Sequence, residues 1–157
     1  MESIEIINNA CDYIINSIFF IASKSEYVNI PKDNIKYYIE DKYHNTIIIK
    51  DNNEIKGFLI YFLIYDEIDI IFIASYPNNN GYGQKLLSYL FNEAENKNAG
   101  CIKLDLHENN IKAENFYLKN GFKKIALRKK YYNNIFDAVI MEKKFIINSY
   151  YISNVIS

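Results

Sequence analysis

A chain of 157 residues, half of them hydrophobic and 16% aromatic, has material for a single domain with one core. Its 18 basic and 19 acidic side chains leave a net charge of -1, which gives no support to nucleic-acid binding driven by bulk charge. Cys11 and Cys101 form no CxxC pair and His44 and His107 are the only histidines, so no zinc site is expected and a reduced, cytoplasmic setting fits.

In chain order, the start MESIEIINN lacks the basic region of a signal peptide, and residues 2–6 read as a short strand. Residues 7–22 read as a helix, with Ile7, Ala10, Cys11, Ile14, Ile15 and Ile18 on one face. The longest apolar runs, 13–22 and 57–65, are too short to cross a bilayer, so no membrane role is expected. Pro31 marks the start of a second helix, continued by residues 33–42. Strands are predicted over 46–50 and 55–65, joined by the turn Asp51-Asn52-Asn53-Glu54, and over 67–74. The last is nearly continuously apolar, as a central strand covered on both faces would be.

A helix over 84–97 follows, with Leu86, Leu87, Leu90, Phe91 and Ala94 as its buried stripe and Gly100 as its stop. In the strand 101–106, Ile102, Leu104 and Leu106 point one way and Lys103 and Asp105 the other. A short helix over 112–119 closes at Asn120-Gly121, strands 122–132 and 136–144 form a final antiparallel pair, and residues 146–157 are a helix or a frayed tail. The sum is an α/β (α+β) domain over residues 1–157, a mixed sheet of about six to seven strands flanked by about four helices.

The segment Asn78-Asn79-Asn80-Gly81-Tyr82-Gly83, between a strand and the helix opening at Gln84, has the form of an anion site. Gly81 and Gly83 let backbone approach a phosphate, and the N–H groups of the first helical turn point at it. There is no third glycine for a dinucleotide fingerprint, because Leu86 stands there, and no GK[ST] for a P-loop. On its own the loop specifies an anion and no more.

Residues 67–144 resemble the GNAT acetyltransferase superfamily. The family's coenzyme motif is Arg or Gln, two residues, Gly, one residue, Gly or Ala. Asn78, Gly81 and Gly83 occupy it here, with Asn78 in place of Arg or Gln and a loop about two residues shorter. Asn110, Tyr117 and Gly121-Phe122 repeat a second family pattern. The run Leu104-Asp105-Leu106, then Arg128…Tyr131-Tyr132 and Asp137-Ala138…Met141, is similar to the bacterial ribosomal-protein-alanine N-acetyltransferases. Asp105 stands where those proteins have Glu, and the loop between Tyr132 and Asp137 is shorter.

The resemblance implies a GNAT fold and transfer of an acetyl group from acetyl-CoA to a primary amine. The acceptor it suggests is the N-terminal amine of a ribosomal protein. A small-molecule amine, a lysine side chain and a non-catalytic acyl-CoA sensor are the alternatives. The protein would act as a monomer or homodimer. Such a transfer needs a base for the amine, N–H groups on the thioester carbonyl and a proton for the thiolate.

Asp105 is the candidate base, acting through water, and Glu67 a second carboxylate that orients the acceptor or is a plain loop charge. Tyr117 is the candidate acid; without the family pattern it would read as a core tyrosine. Coenzyme contacts fall on Phe72, Ile73 and Ala74, along which the pantetheine arm pairs as an added strand does, and on Asn78, Asn79, Asn80, Gly81, Tyr82, Gly83, Gln84, Asn110 and Tyr117. Asn110 caps its helix, binds the arm, or both. Tyr131 and Tyr132 line the acceptor groove or are ordinary strand aromatics.

Overall fold

A computed structural model of the protein describes residues 1–147. Its elements are β1 (Glu2–Ile7), α1 (Asp12–Ser23), α2 (Lys32–Glu40), β2 (His44–Asp51), β3 (Glu54–Ile64), β4 (Glu67–Ser75), α3 (Tyr82–Asn96), β5 (Cys101–His107), α4 (Ile111–Lys119), β6 (Lys123–Tyr132) and β7 (Phe136–Lys144). The strands form one mixed sheet in the order β1-β2-β3-β4-β5-β7-β6. The expected mixed sheet and four helices are therefore present among the described residues. All but the first two residues of the predicted tail lie outside them.

The chain packs as two compact units. One holds Met1–Leu63 with Ile70–Phe91; the other holds Ile64–Asp69 with the described residues from Asn92 on. In the first unit β1, β2 and β3 run antiparallel, with Ile7 opposite Thr46 and Asp51 opposite Glu54. Asn52 and Asn53 both take positive φ (50° and 66°), the backbone a two-residue hairpin turn demands. Ile18, Ile21, Ala22, Ile35 and Ile39 of the two helices bury against Ile48, Phe58 and Ile60 of the sheet. The opposite face takes α3. A Cβ on Gly57 would come within 3.1 Å of Leu86, Ile49 and the Ala74 carbonyl, so only glycine lets that helix approach so closely.

In the second unit β7 pairs with β5 and with the edge strand β6. Ile102, Leu104 and Leu106 are buried, while Lys103, Asp105 and His107 are not, as the alternation predicts. Lys123, Lys124, Lys129 and Lys130 stud β6, which suits an unpaired edge.

Most element ends shift by a residue or two, and α1 and α3 differ more from expectation. α1 begins at Asp12 rather than Ile7, because Ile7 is held in the β1–β2 ladder; Cys11 is exposed and leaves the stripe. α3 begins at Tyr82 rather than Gln84. Gly100 does not stop it: Asn98 takes the positive φ (53°) after the helix, and Ala99 N–H bonds the Ala94 carbonyl at 2.8 Å. Gly100 instead donates to the Asp66 carbonyl (2.7 Å) and accepts from Phe145 N–H (2.8 Å).

Candidate active site

β4 carries the residues expected to hold the coenzyme arm. Its burial alternates from Glu67 to Ile70 and then stops alternating: Ile71, Phe72, Ile73, Ala74 and Ser75 are all half-buried. Ile71 and Phe72 both pack on the α1–α2 core, although a regular pleat sends consecutive side chains to opposite faces. The Tyr76 N–H donates to the Lys56 carbonyl at 2.8 Å, and a cis Tyr76–Pro77 peptide leads into the loop.

In that loop Asn79 and Gly81 take positive φ (65° and 79°), and a Cβ at Gly81 would meet nothing within 4 Å. Gly81 therefore lies beside open space, as close approach of a ligand requires. Lys85 N–H to the Gly81 carbonyl (3.0 Å) is the first helical bond. The turn before it presents the N–H groups that a helix start leaves to an anion, and no acidic residue opposes one there. Asn80 turns its amide back to the Asn78 carbonyl (3.4 Å).

Tyr82, Gly83 and Gln84 are the first turn of α3 rather than loop. The Tyr82 side chain faces inward: only 8% exposed, it donates its hydroxyl to Asp51 Oδ2 at 3.0 Å. That bond to a carboxylate, before burial, raises its pKa. Tyr82 anchors the helix start to the sheet; what it offers a phosphate is its N–H. Gln84 Nε2 lies 3.3 Å from Ser88 Oγ.

The remaining candidates belong to the second unit. The Asn110 side chain accepts from Ala113 N–H at 3.2 Å, so the capping role is realised. Tyr117, 3% exposed, meets the rings of Phe116 and Phe122 edge-on at 5.2 and 5.1 Å. Burial pushes its hydroxyl pKa far up, so it stays protonated at neutral pH.

Asp105 accepts from Arg128 Nη1 at 3.0 Å, and Arg128 lies 5.4 Å from the Tyr131 ring centre. Glu67 accepts from Lys103 Nζ at 2.9 Å, and Lys103 also lies 3.9 Å from Glu142. Tyr132 stacks on His107 at 5.0 Å, and burial raises its pKa. Asp137 accepts from Lys130 N–H (2.8 Å) and Lys129 Nζ (3.1 Å), bonds that lower its pKa and pin the β6–β7 turn.

One residue of this face was missed. Asp69, two positions after Glu67 and so on the same side of β4, has a raised pKa, caused first by burial and then by the charge of Glu67. Reading 67–74 as one apolar run hid it; a carboxylate inside such a run is the signal that exposes it.

Residues 12–122 match the model of the acetyltransferase (GNAT) family, and the chain belongs to that family of acetyl-CoA-dependent acyltransferases. The [ribosomal protein bS18]-alanine N-acetyltransferase of Haemophilus influenzae is 30% identical over 125 residues, 78% of this chain and 83% of that protein. The solved ribosomal-protein-S18-alanine N-acetyltransferase of Escherichia coli covers 94% of this chain and 96% of its own, with a TM-score of 0.82 at 20% identity. A GNAT family acetyltransferase from Elizabethkingia anophelis, solved with acetyl-CoA bound, covers 92% and 98% with a TM-score of 0.71 at 20% identity. These two structures bear on the fold.

Proposed function

We propose that the protein acetylates the N-terminal α-amine of a polypeptide, with a ribosomal protein as the acceptor and the cytoplasm as the setting. The observation that carries this reading is the 30% identity, over 78% of the chain, to a protein named for alanine N-acetylation of a ribosomal protein. Arg128, Tyr131, Tyr132, Asp137, Ala138 and Met141 support it, because they repeat the pattern of that enzyme group.

Acetyl-CoA supplies an activated acyl group and a thiolate leaving group. The chain's own residues then have definite tasks. The N–H groups around Gly81 and Gly83 neutralise phosphate without a charged side chain. The half-buried end of β4 at Phe72, Ile73 and Ala74 offers backbone to an extended arm. Tyr117, a neutral phenol at physiological pH, delivers a proton to the departing sulfur. Asp105, positioned by Arg128, is the base that acts through water, and Glu67, positioned by Lys103, is the carboxylate that orients the acceptor.

Mass-spectrometric product analysis tests the reading, with acetyl-CoA against N-terminal peptides and small amines. An N-terminal alanine peptide gains one acetyl group at its α-amine. Turnover of polyamines or aminoglycosides without the peptide would move the function to a small-molecule acceptor. Coenzyme binding with no acetylated product would make the chain a sensor.

A further inference from the structure

In the first unit, residues 76–81 are all exposed, and Asn79 and Gly81 among them take positive φ. Inside this segment Asn80 turns its amide to the Asn78 carbonyl at 3.4 Å. Buried side chains resume only at Tyr82. A loop braced so lightly from within takes its shape from its two ends, and both ends are tied to the β2–β3 hairpin. At the start, the Tyr76 N–H donates to the Lys56 carbonyl at 2.8 Å. At the finish, the Tyr82 hydroxyl donates to Asp51 Oδ2 at 3.0 Å. Asp51 and Lys56 stand on the two strands of one hairpin, on either side of the Asn52-Asn53 turn.

The two ties differ in kind. The first is backbone to backbone and forms whatever side chains are present. The second needs a phenol at one position and a carboxylate at another, 31 residues apart. A bond to a carboxylate is also the stronger type. Tyr82 lies in the first turn of α3, where helix geometry leaves N–H groups without intrahelical partners. Leu86, four residues on and so on the same helical face, seats the helix on Gly57. With Leu86 seated, the hold on Tyr82 fixes how the first turn is rotated. Side chains near the loop do little to replace that control. Asn78 is exposed and shorter than the Arg or Gln of the family motif, and Lys85 is ion-paired with Glu2. Phosphate binding then depends on where the N–H groups point, and a hydrogen bond weakens steeply when its angle is lost.

We infer that Asp51 is a positioning residue for the coenzyme: through Tyr82 it aims the N–H groups at the start of α3 at the pyrophosphate. This rests on the reading of the loop as the coenzyme-phosphate site and goes beyond it. The preference for a ligand that carries pyrophosphate is set from the hairpin, by a carboxylate that acts through Tyr82.

The test is calorimetric titration of the full chain with CoA and with pantetheine, the same arm without pyrophosphate or nucleotide. Wild type is compared with Tyr82→Phe, Asp51→Ala, Asp51→Asn and the double variant Tyr82→Phe with Asp51→Ala. Tyr82→Phe and Asp51→Ala each weaken CoA binding about tenfold, as loss of one hydrogen bond to a charged group does, and pantetheine binding by less than about twofold. The double variant binds CoA no more weakly than either single one, because both break the same bond. Asp51→Asn recovers most of the loss, since its amide oxygen still accepts from the phenol.

The assignment is overturned if both single variants bind CoA as tightly as the wild type. It is overturned equally if CoA and pantetheine weaken by the same factor, which is a general loosening of the fold, or if the double variant loses the product of the two single effects. A wild type that binds CoA no more tightly than pantetheine would remove the reading of the loop itself. Discrimination present in the wild type and undiminished in the variants would remove only the role of Asp51.

Discussion

The loop before α3 and the polar face of β4 and β5 are built from different materials. The loop works through backbone: positive φ at Asn79 and Gly81, open space at Gly81 and a helix start with no acid in its first turn. Asn78 stands there where the GNAT motif has Arg or Gln. The polar face works through side chains: Glu67, Asp69 and Asp105 set against Lys103 and Arg128. There one substitution removes a partner from a neighbouring charge, as Lys103 is the partner of Glu67 and Arg128 of Asp105. A backbone site tolerates sequence drift as long as its geometry persists; a charge network does not.

Substitutions can break this contrast, beginning with the chemistry. Tyr117→Phe keeps the packing against Phe116 and Phe122 but removes the hydroxyl. We expect kcat to fall about 100-fold, close to 2.7 kcal/mol, with acetyl-CoA affinity nearly unchanged. Unchanged turnover would remove Tyr117 from the mechanism. In the loop, Gly81→Ala has room for its methyl but must hold a φ of 79°. The expected cost is about 1 kcal/mol, visible as weaker coenzyme binding and a lower Tm. Asn78→Ala should change coenzyme affinity by less, and a loss as large as that of Gly81→Ala would show that side chains do govern this loop.

Asn110→Ala deletes the cap on Ala113 N–H and should lower stability by ~1 kcal/mol in chemical denaturation. The smallest expected effect sharpens the charge side of the contrast. Asp69 holds its proton more tightly folded than unfolded, since its pKa is raised above 3.8. Its ionisation therefore costs stability as pH rises above about that value, and the cost persists at neutral pH. Asp69→Asn should then raise Tm slightly at neutral pH, and the gain should vanish in acid. A lower Tm at neutral pH would mark Asp69 as a structural residue.

Much of the fold was legible because periodicity reports burial directly. Ile102, Leu104 and Leu106 alternate with Lys103 and Asp105, and the structure buries the first set only. Asn52-Asn53 reads as a tight turn, and both residues take the positive φ that such a turn needs. The helix stop was misassigned to Gly100 because asparagine also tolerates that conformation, and Asn98 comes first. The start of α1 was placed too early because helical periodicity continues through Ile7, where pairing with β2 prevails.

The sequence alone determined the elements, their order and the family to which Asn110, Tyr117, Gly121 and Phe122 point, because these depend on local pattern and spacing. Only the tertiary structure decided which carboxylates are engaged. Glu67 and Lys103 are 36 positions apart, and Asp105 and Arg128 are 23 apart, so no local rule pairs them. The conformation of the loop, with positive φ at Asn79 and Gly81, is written locally in its asparagines and glycines. The setting of a carboxylate is not, since it depends on which distant cations reach it and which water does not.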